Sequence, residues 1–122
     1  MPGKKILVVD DEPNVIRTLT FVLKKEGYDV STAGNGEEAI SRIHESKPNL
    51  MFLDVMMPKK NGYEVCQELK NDSGLNDIHI VMLSAKGQEA DREKALTLGA
   101  DEFMTKPFSP AGVVTRVKEL LG

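Results

Sequence analysis

Five side chains able to do polar chemistry stand where apolar runs end in this sequence. Asp10 and Asp11 follow Ile6-Leu7-Val8-Val9, Asp54 follows Leu50-Met51-Phe52-Leu53, Ser84 follows Ile78-His79-Ile80-Val81-Met82-Leu83, and Lys106 comes just after Asp101 to Met104. Apolar runs of this length read as strands buried on both faces, and such strands belong to parallel sheets. In an open parallel sheet the strand C-termini share one edge, and that edge is where ligands bind. The three carboxylates, the hydroxyl and the ammonium would then meet, although they span most of the chain. Two like unit charges 4 Å apart repel by about 4 kcal/mol at an effective dielectric of about 20, so such a site would take up protons or a cation. Carboxylate and carbonyl oxygens suit Mg²⁺, whereas zinc wants sulfur or imidazole, and neither His44 in mid-helix nor His79 in mid-strand is placed to help. A hard divalent cation beside a carboxylate, a lysine and a hydroxyl is a set that stabilises a phosphoryl group in transfer, with Asp54 as the nucleophile.

The elements that must position these groups are legible in order. After the first strand, Pro13 suits the first position of a helix, with Val15, Ile16, Leu19, Val22 and Leu23 on one face and Gly27 as the stop. Tyr28 to Thr32 alternates as a shorter, more polar strand. Asn35-Gly36-Glu37-Glu38 then caps a helix running to about Ser46, with Asn35 as cap and Glu38 reaching back. After the Asp54 strand, Asn61-Gly62-Tyr63-Glu64 repeats the capping pattern before Val65, Cys66 and Leu69. A charged, weakly amphipathic helix is expected from about Gln88 to Gly99, and a short fifth strand from Asp101 to Met104. Ser109-Pro110 opens a last helix that turns Val113, Val114, Val117, Leu120 and Leu121 inward. Five strands alternating with five helices predict a doubly wound α/β fold, with the three most apolar strands central and the flavodoxin-like order 2-1-3-4-5.

Composition sets the outer limits. A length of 122 residues fits one domain, spanning 1–122, with one core. A net charge of −3 without a clustered basic face argues against direct contact with nucleic acid. No apolar stretch approaches the ~20 residues of a membrane span, and the N-terminus has no signal-peptide pattern, so a cytoplasmic protein is expected. The one cysteine, Cys66, lies in register with Leu69 on an apolar face, where it packs rather than reacts.

These residues together resemble the receiver domain of two-component response regulators, over essentially the whole chain and in its chemotaxis-regulator-like single-domain form. The acidic pair matches Asp10-Asp11, and the phosphorylated aspartate matches Asp54 within Leu53-Asp54-Val55-Met56-Met57-Pro58-x-x-Asn61-Gly62. The switch hydroxyl matches Ser84, the lysine-proline matches Lys106-Pro107, and the switch aromatic matches Phe103. Serine stands where threonine is more usual, and phenylalanine where tyrosine is often found. The resemblance implies Mg²⁺ held by Asp11, Asp54 and the main-chain oxygen of Met56, with Asp10 acting mainly through water. It also implies a cis bond before Pro107, which costs little at X-Pro. The implied partners are a sensor histidine kinase or phosphotransfer protein, and a downstream protein or second copy bound through the face of the fourth helix, fifth strand and fifth helix. Phosphoryl lifetime in such domains depends on the side chains two residues after the acceptor and two after the switch hydroxyl, here Met56 and Lys86. An apolar Met56 that shields the phosphoryl group implies slow self-dephosphorylation.

Taken singly, each residue has a plainer reading. Asp10-Asp11-Glu12 could be an acidic helix start, Asp54 a turn residue, Ser84 a cap, Lys106 a solvated charge and Phe103 a core aromatic. Their joint position at one sheet edge is what favours a phosphorylation-switched module over two alternatives. A phosphohydrolase resembling the haloacid dehalogenases would carry a second acid where Met56 stands. A degenerate receiver used as an unmodified binding surface would usually lack an acid or the lysine. A stand-alone regulator and a receiver cut from a longer protein both fit the sequence.

Overall fold

Strand and helix alternate throughout the computed structural model, which describes residues 3–85 and 90–122. In chain order the elements are β1 (Lys5–Val9), α1 (Pro13–Lys25), β2 (Asp29–Ala33), α2 (Gly36–Glu45) and β3 (Leu50–Asp54). They continue with α3 (Gly62–Lys70), β4 (His79–Ser84), α4 (Ala90–Thr97), β5 (Glu102–Thr105) and α5 (Pro110–Leu121). The strands pair in parallel in the order β2-β1-β3-β4-β5, the flavodoxin-like doubly wound arrangement. The apolar strands β1, β3 and β4 occupy the middle because only there do both faces meet helices.

Alternation along each strand divides the core in two. Leu7, Val9, Met51, Leu53, Ile80 and Met82 pack with residues of α2, α3 and α4. Ile6, Val8, Leu50, Phe52, Val81 and Leu83 pack with residues of α1 and α5. Phe52 is 1% exposed, and truncating a buried phenylalanine costs about 3–5 kcal/mol, so β3 is anchored firmly before it ends in Asp54. The same alternation puts Asp54 in step with Phe52 and Ser84 in step with Met82, on opposite faces of the sheet.

Capping follows the sequence signals with one change of partner. Asn61 and Glu64 form a complete capping box on α3. On α2, Asn35 accepts from the Glu38 N–H at 2.9 Å, but Glu38 Oε1 reaches one residue further back, to the Gly34 N–H at 2.7 Å. The glycines after both caps answer close approach. A Cβ on Gly62 would stand 2.2 Å from the Asp54 carbonyl oxygen, and one on Gly36 2.1 Å from that of Lys60. The backbone beneath Asp54 is thus pressed against the start of α3.

β2, β4 and β5 each run one residue later than the hydrophobic pattern predicts. The Tyr28 N–H still bonds to Leu23 O, and that of Ile78 to Leu75 O, so both belong to the preceding turns. At the other end Ser84 pairs with Thr105, extending the ladder into polar residues that periodicity leaves out. His79 is accordingly the first residue of β4 rather than a mid-strand one. The expected start of the fourth helix at Gln88 lies outside the described residues. Of α4 only Ala95 is fully buried, in keeping with its weak amphipathicity.

Candidate functional site

The C-terminal ends of β1, β3 and β4 and the turn after β5 converge as the pattern requires. Asp10 (1% exposed), Asp54 (5%) and Ser84 (2%) are buried, and Asp11 lies exposed beside them. Oxygens of Asp10, Asp11 and Asp54 lie within 4.8 Å of one another. Lys106 reaches in from the turn after β5, its Nζ 2.8 Å from Asp10 Oδ2, 2.8 Å from Glu12 Oε1 and 3.4 Å from Asp54 Oδ1. Asp10 Oδ1 accepts from the Glu12 N–H at 2.9 Å. The Lys106–Pro107 peptide is cis. A cleft of about 310 Å³ opens between Asp54, Met56, Ser84, Asp91 and Lys106. A larger hollow of about 710 Å³ runs along α1 and β2, between Ile16, Phe21 and Thr32, away from these groups.

Electrostatics follow from this crowding. Burial, then the charge of Asp10, push the Asp54 carboxyl up from 3.8 to about 7 against the pull of Lys106. Burial raises Asp10 as well. Burial alone would depress Lys106, but hydrogen bonds to Asp10 and Glu12 and the charge of Asp54 hold it above the ordinary lysine value. The ammonium is therefore fixed as a cation, whereas Asp54 has more negative charge around it than it can share. Asp10 Oδ2 is buried, with the Lys106 ammonium 2.8 Å away as its close charged partner. Three carboxylates whose oxygens lie this close, two of them buried, with one ammonium among them, fit a hard divalent cation, which would supply the missing positive charge.

The remaining predicted residues are placed less simply. Ser84 turns its hydroxyl toward α4, donating to Asp91 Oδ2 at 2.9 Å. Phe103 is half-buried against the core beneath α2, α3 and α4, beside Met82. The Met56 side chain is 72% exposed at the rim of the cleft. Lys86 lies outside the described residues. Cys66 is buried, its thiol pushed up to about 11 by that burial, and its Sγ lies 3.7 Å from Leu98 O, so it packs as predicted. Sequence reasoning missed two participants, Glu12 and Asp91. Both sit where an acid suits a helix start, and that ordinary explanation hid the contacts they make.

A parallel five-stranded sheet with acids, a lysine and a hydroxyl at its C-terminal edge defines a class, and comparison with known proteins agrees. The chain belongs to the response regulator receiver domain family, whose pattern it matches over residues 6–118. It is 50% identical over 119 residues to the alkaline phosphatase synthesis transcriptional regulatory protein PhoP of Bacillus subtilis, covering 98% of this chain and 49% of that protein. It is 52% identical over 118 residues to the probable transcriptional regulator ycf27 of Cyanophora paradoxa, covering 97% and 48%. The chain thus spans about half the length of these relatives. Among solved structures, a putative response regulator from Chloroflexus aurantiacus superposes with a TM-score of 0.91 at 34% identity, covering 98% of both chains. The protein carries a two-component receiver domain, and no helix among its described residues is long and apolar enough to cross a membrane.

Proposed function

We propose that residues 1–122 form one receiver domain in which Asp54 accepts a phosphoryl group from a sensor histidine kinase or phosphotransfer protein in the cytoplasm. The observation that carries this reading is the position of Asp54: buried, raised to about 7, and 3.4 Å from a lysine already held as a cation. An Asp54 oxygen attacks phosphorus as the bond to the donor breaks, and the electron pair leaves with the donor. Asp11, Asp54 and the main-chain oxygen of Met56 would hold Mg²⁺, with Asp10 behind them. Bound there, the ion would supply positive charge to the oxygens of the transferring group.

Lys106 needs little movement to reach a phosphoryl oxygen from its present place. Ser84 must turn away from α4 to donate a second contact, and Phe103 then fills the space that Ser84 leaves. Two charge-assisted contacts at about 1.5–3 kcal/mol each match the ~5.5 kcal/mol needed to move a population from 1:99 to 99:1. The outcome is read on the α4–β5–α5 face by a downstream protein or a second copy. The domain assists its own phosphorylation and dephosphorylation rather than turning over an outside substrate.

Intact-mass analysis after incubation with acetyl phosphate and Mg²⁺ tests the reading. Wild type should gain one phosphoryl group, while Asp54→Asn, or wild type in excess chelator, should gain none. Phosphorylation that survives either change would sink it. Lys106→Ala should separate phosphorylation from switching, seen as a modified protein whose Ser84 and Phe103 resonances stay at their resting positions.

A further inference from the structure

The resting contact of Ser84 is with a residue the proposed phosphoryl transfer does not use. Its hydroxyl donates to Asp91 Oδ2 at 2.9 Å, on the face of the sheet opposite to Asp54. Asp91 and Lys94 lie three residues apart on α4, hence on one side of that helix. Both face Tyr63 of α3: Lys94 Nζ sits 4.4 Å from the centre of the Tyr63 ring. The Tyr63 hydroxyl is buried without a hydrogen-bond partner of good geometry. It lies close enough to Asp91 that burial, then a poorly aligned hydrogen-bonding contact with this carboxylate and its charge, push the phenol up to about 12. One half-buried carboxylate thus has one hydroxyl well bonded to it and a second hydroxyl beside it whose contact is poorly aligned.

We propose that Asp91 is a positioning residue for the switch: it holds Ser84 in the resting rotamer, and activation exchanges Ser84 for Tyr63 on its carboxylate. The inference rests on Asp54 being the phosphoacceptor. Ser84 can reach a group on Asp54 only by abandoning Asp91, and a charge-assisted bond lost in a half-buried place opposes the switch unless something replaces it. Tyr63 is the replacement within reach, and its own buried hydroxyl gains a partner by the exchange. Asp91 therefore sets the threshold for activation, and Tyr63 lowers it. Because Asp91 and Lys94 both belong to α4 and Lys94 sits over the Tyr63 ring of α3, the exchange also re-seats α4 on α3. The plainer view is that Asp91 is an acid favoured by the helix dipole. That view gives Ser84 and Tyr63 no part.

The test is beryllofluoride binding with Mg²⁺, followed by ¹⁹F NMR, across Asp91→Ala, Asp91→Asn, Ser84→Ala, Tyr63→Phe and the pairwise combinations with Asp91→Ala. Asp91→Ala should bind about tenfold tighter, the low end of what a net hydrogen bond to a charged group is worth, with Asp91→Asn in between. The gain should vanish in the Ser84→Ala background. Tyr63→Phe should weaken binding severalfold only while Asp91 is present. An equal gain with and without Ser84 would reduce Asp91 to bulk charge in the cleft and overturn the proposal, as would no gain at all. In the resting protein, three-bond couplings should show one Ser84 χ1 rotamer in wild type and averaging in Asp91→Ala. Averaging in wild type would overturn it independently of any phosphoryl chemistry. If Asp54→Asn binds beryllofluoride as well as wild type does, the phosphoacceptor assignment fails instead, and the coupling measurement still decides on the latch.

Discussion

The two edges of the sheet hold the same kinds of side chain in opposite balance. At the N-terminal edge, Glu102 accepts from Arg116 Nε at 2.8 Å and Nη2 at 2.9 Å and meets His79 Nε2 at 2.6 Å, while Asp101 takes Lys70 Nζ at 3.2 Å. Burial would raise the Glu102 carboxyl, but the hydrogen bonds from Arg116 and His79 outweigh it and hold it below 4.5. At the C-terminal edge the carboxylates of Asp10, Glu12 and Asp54 share the ammonium of Lys106, with Asp11 beside them, and Asp54 rises to about 7. Matched pairs stabilise the fold and are complete as they stand. The unmatched cluster is kept at a cost in stability, and such crowding of carboxylates favours uptake of a proton or of an additional positive charge.

The largest effect that would break this contrast is chemical. Asp54→Asn should abolish phosphorylation by acetyl phosphate, whereas Glu102→Gln should leave it unchanged by mass. Loss in both variants would mean that the whole sheet, rather than one edge, governs the reaction.

Next comes the sign of the pH dependence in chelator. Between pH 4 and pH 7 the folded state keeps a proton on Asp54 that the unfolded chain has released. The stability from Asp54 is therefore full below about pH 4 and is lost as pH rises through about 7, up to roughly 4 kcal/mol. Asp54→Asn or added Mg²⁺ should remove most of that slope in denaturant titrations. Glu102 works the other way: its stabilisation is present at neutral pH and is lost as pH falls through the carboxylate range. A metal-free protein whose stability does not fall between pH 4 and pH 7, or whose slope is the same in Asp54→Asn, would contradict the unbalanced site.

A smaller effect concerns the rim. Met56→Asn should shorten the phosphoryl lifetime severalfold, measured as loss of modified mass with time, because an amide can guide water where a thioether excludes it. An unchanged lifetime would show that the 72% exposed methionine does not shield the group. Smallest of all, Arg116→Ala should lower stability only slightly in denaturant titrations, since Arg116 is 41% exposed and solvent-screened pairs are weak, with the initial phosphorylation rate unaltered.

Much of this was legible because it is local. Runs of aliphatic residues ending in Asp10, Asp54 and Ser84, the Asn-Gly-x-Glu caps, and Pro13 and Pro110 at helix starts carry strand, helix and boundary in a few adjacent residues. Parallel topology then brought distant strand ends to one edge without further information, so the acids, the hydroxyl and the lysine could be grouped by reasoning alone. What the tertiary structure decided is which partner each group takes. Lys106 bonds to Glu12, 94 residues away, and Ser84 turns to Asp91 rather than toward Asp54. Glu38 passes over Asn35 for Gly34, and Glu102 gathers both His79 and Arg116. These choices depend on rotamers and on distances of a few tenths of an ångström between elements packed from different parts of the chain. Periodicity places a side chain on a face but does not select its partner there, because the competing donors and acceptors come from elements whose spacing is set by the core beneath them.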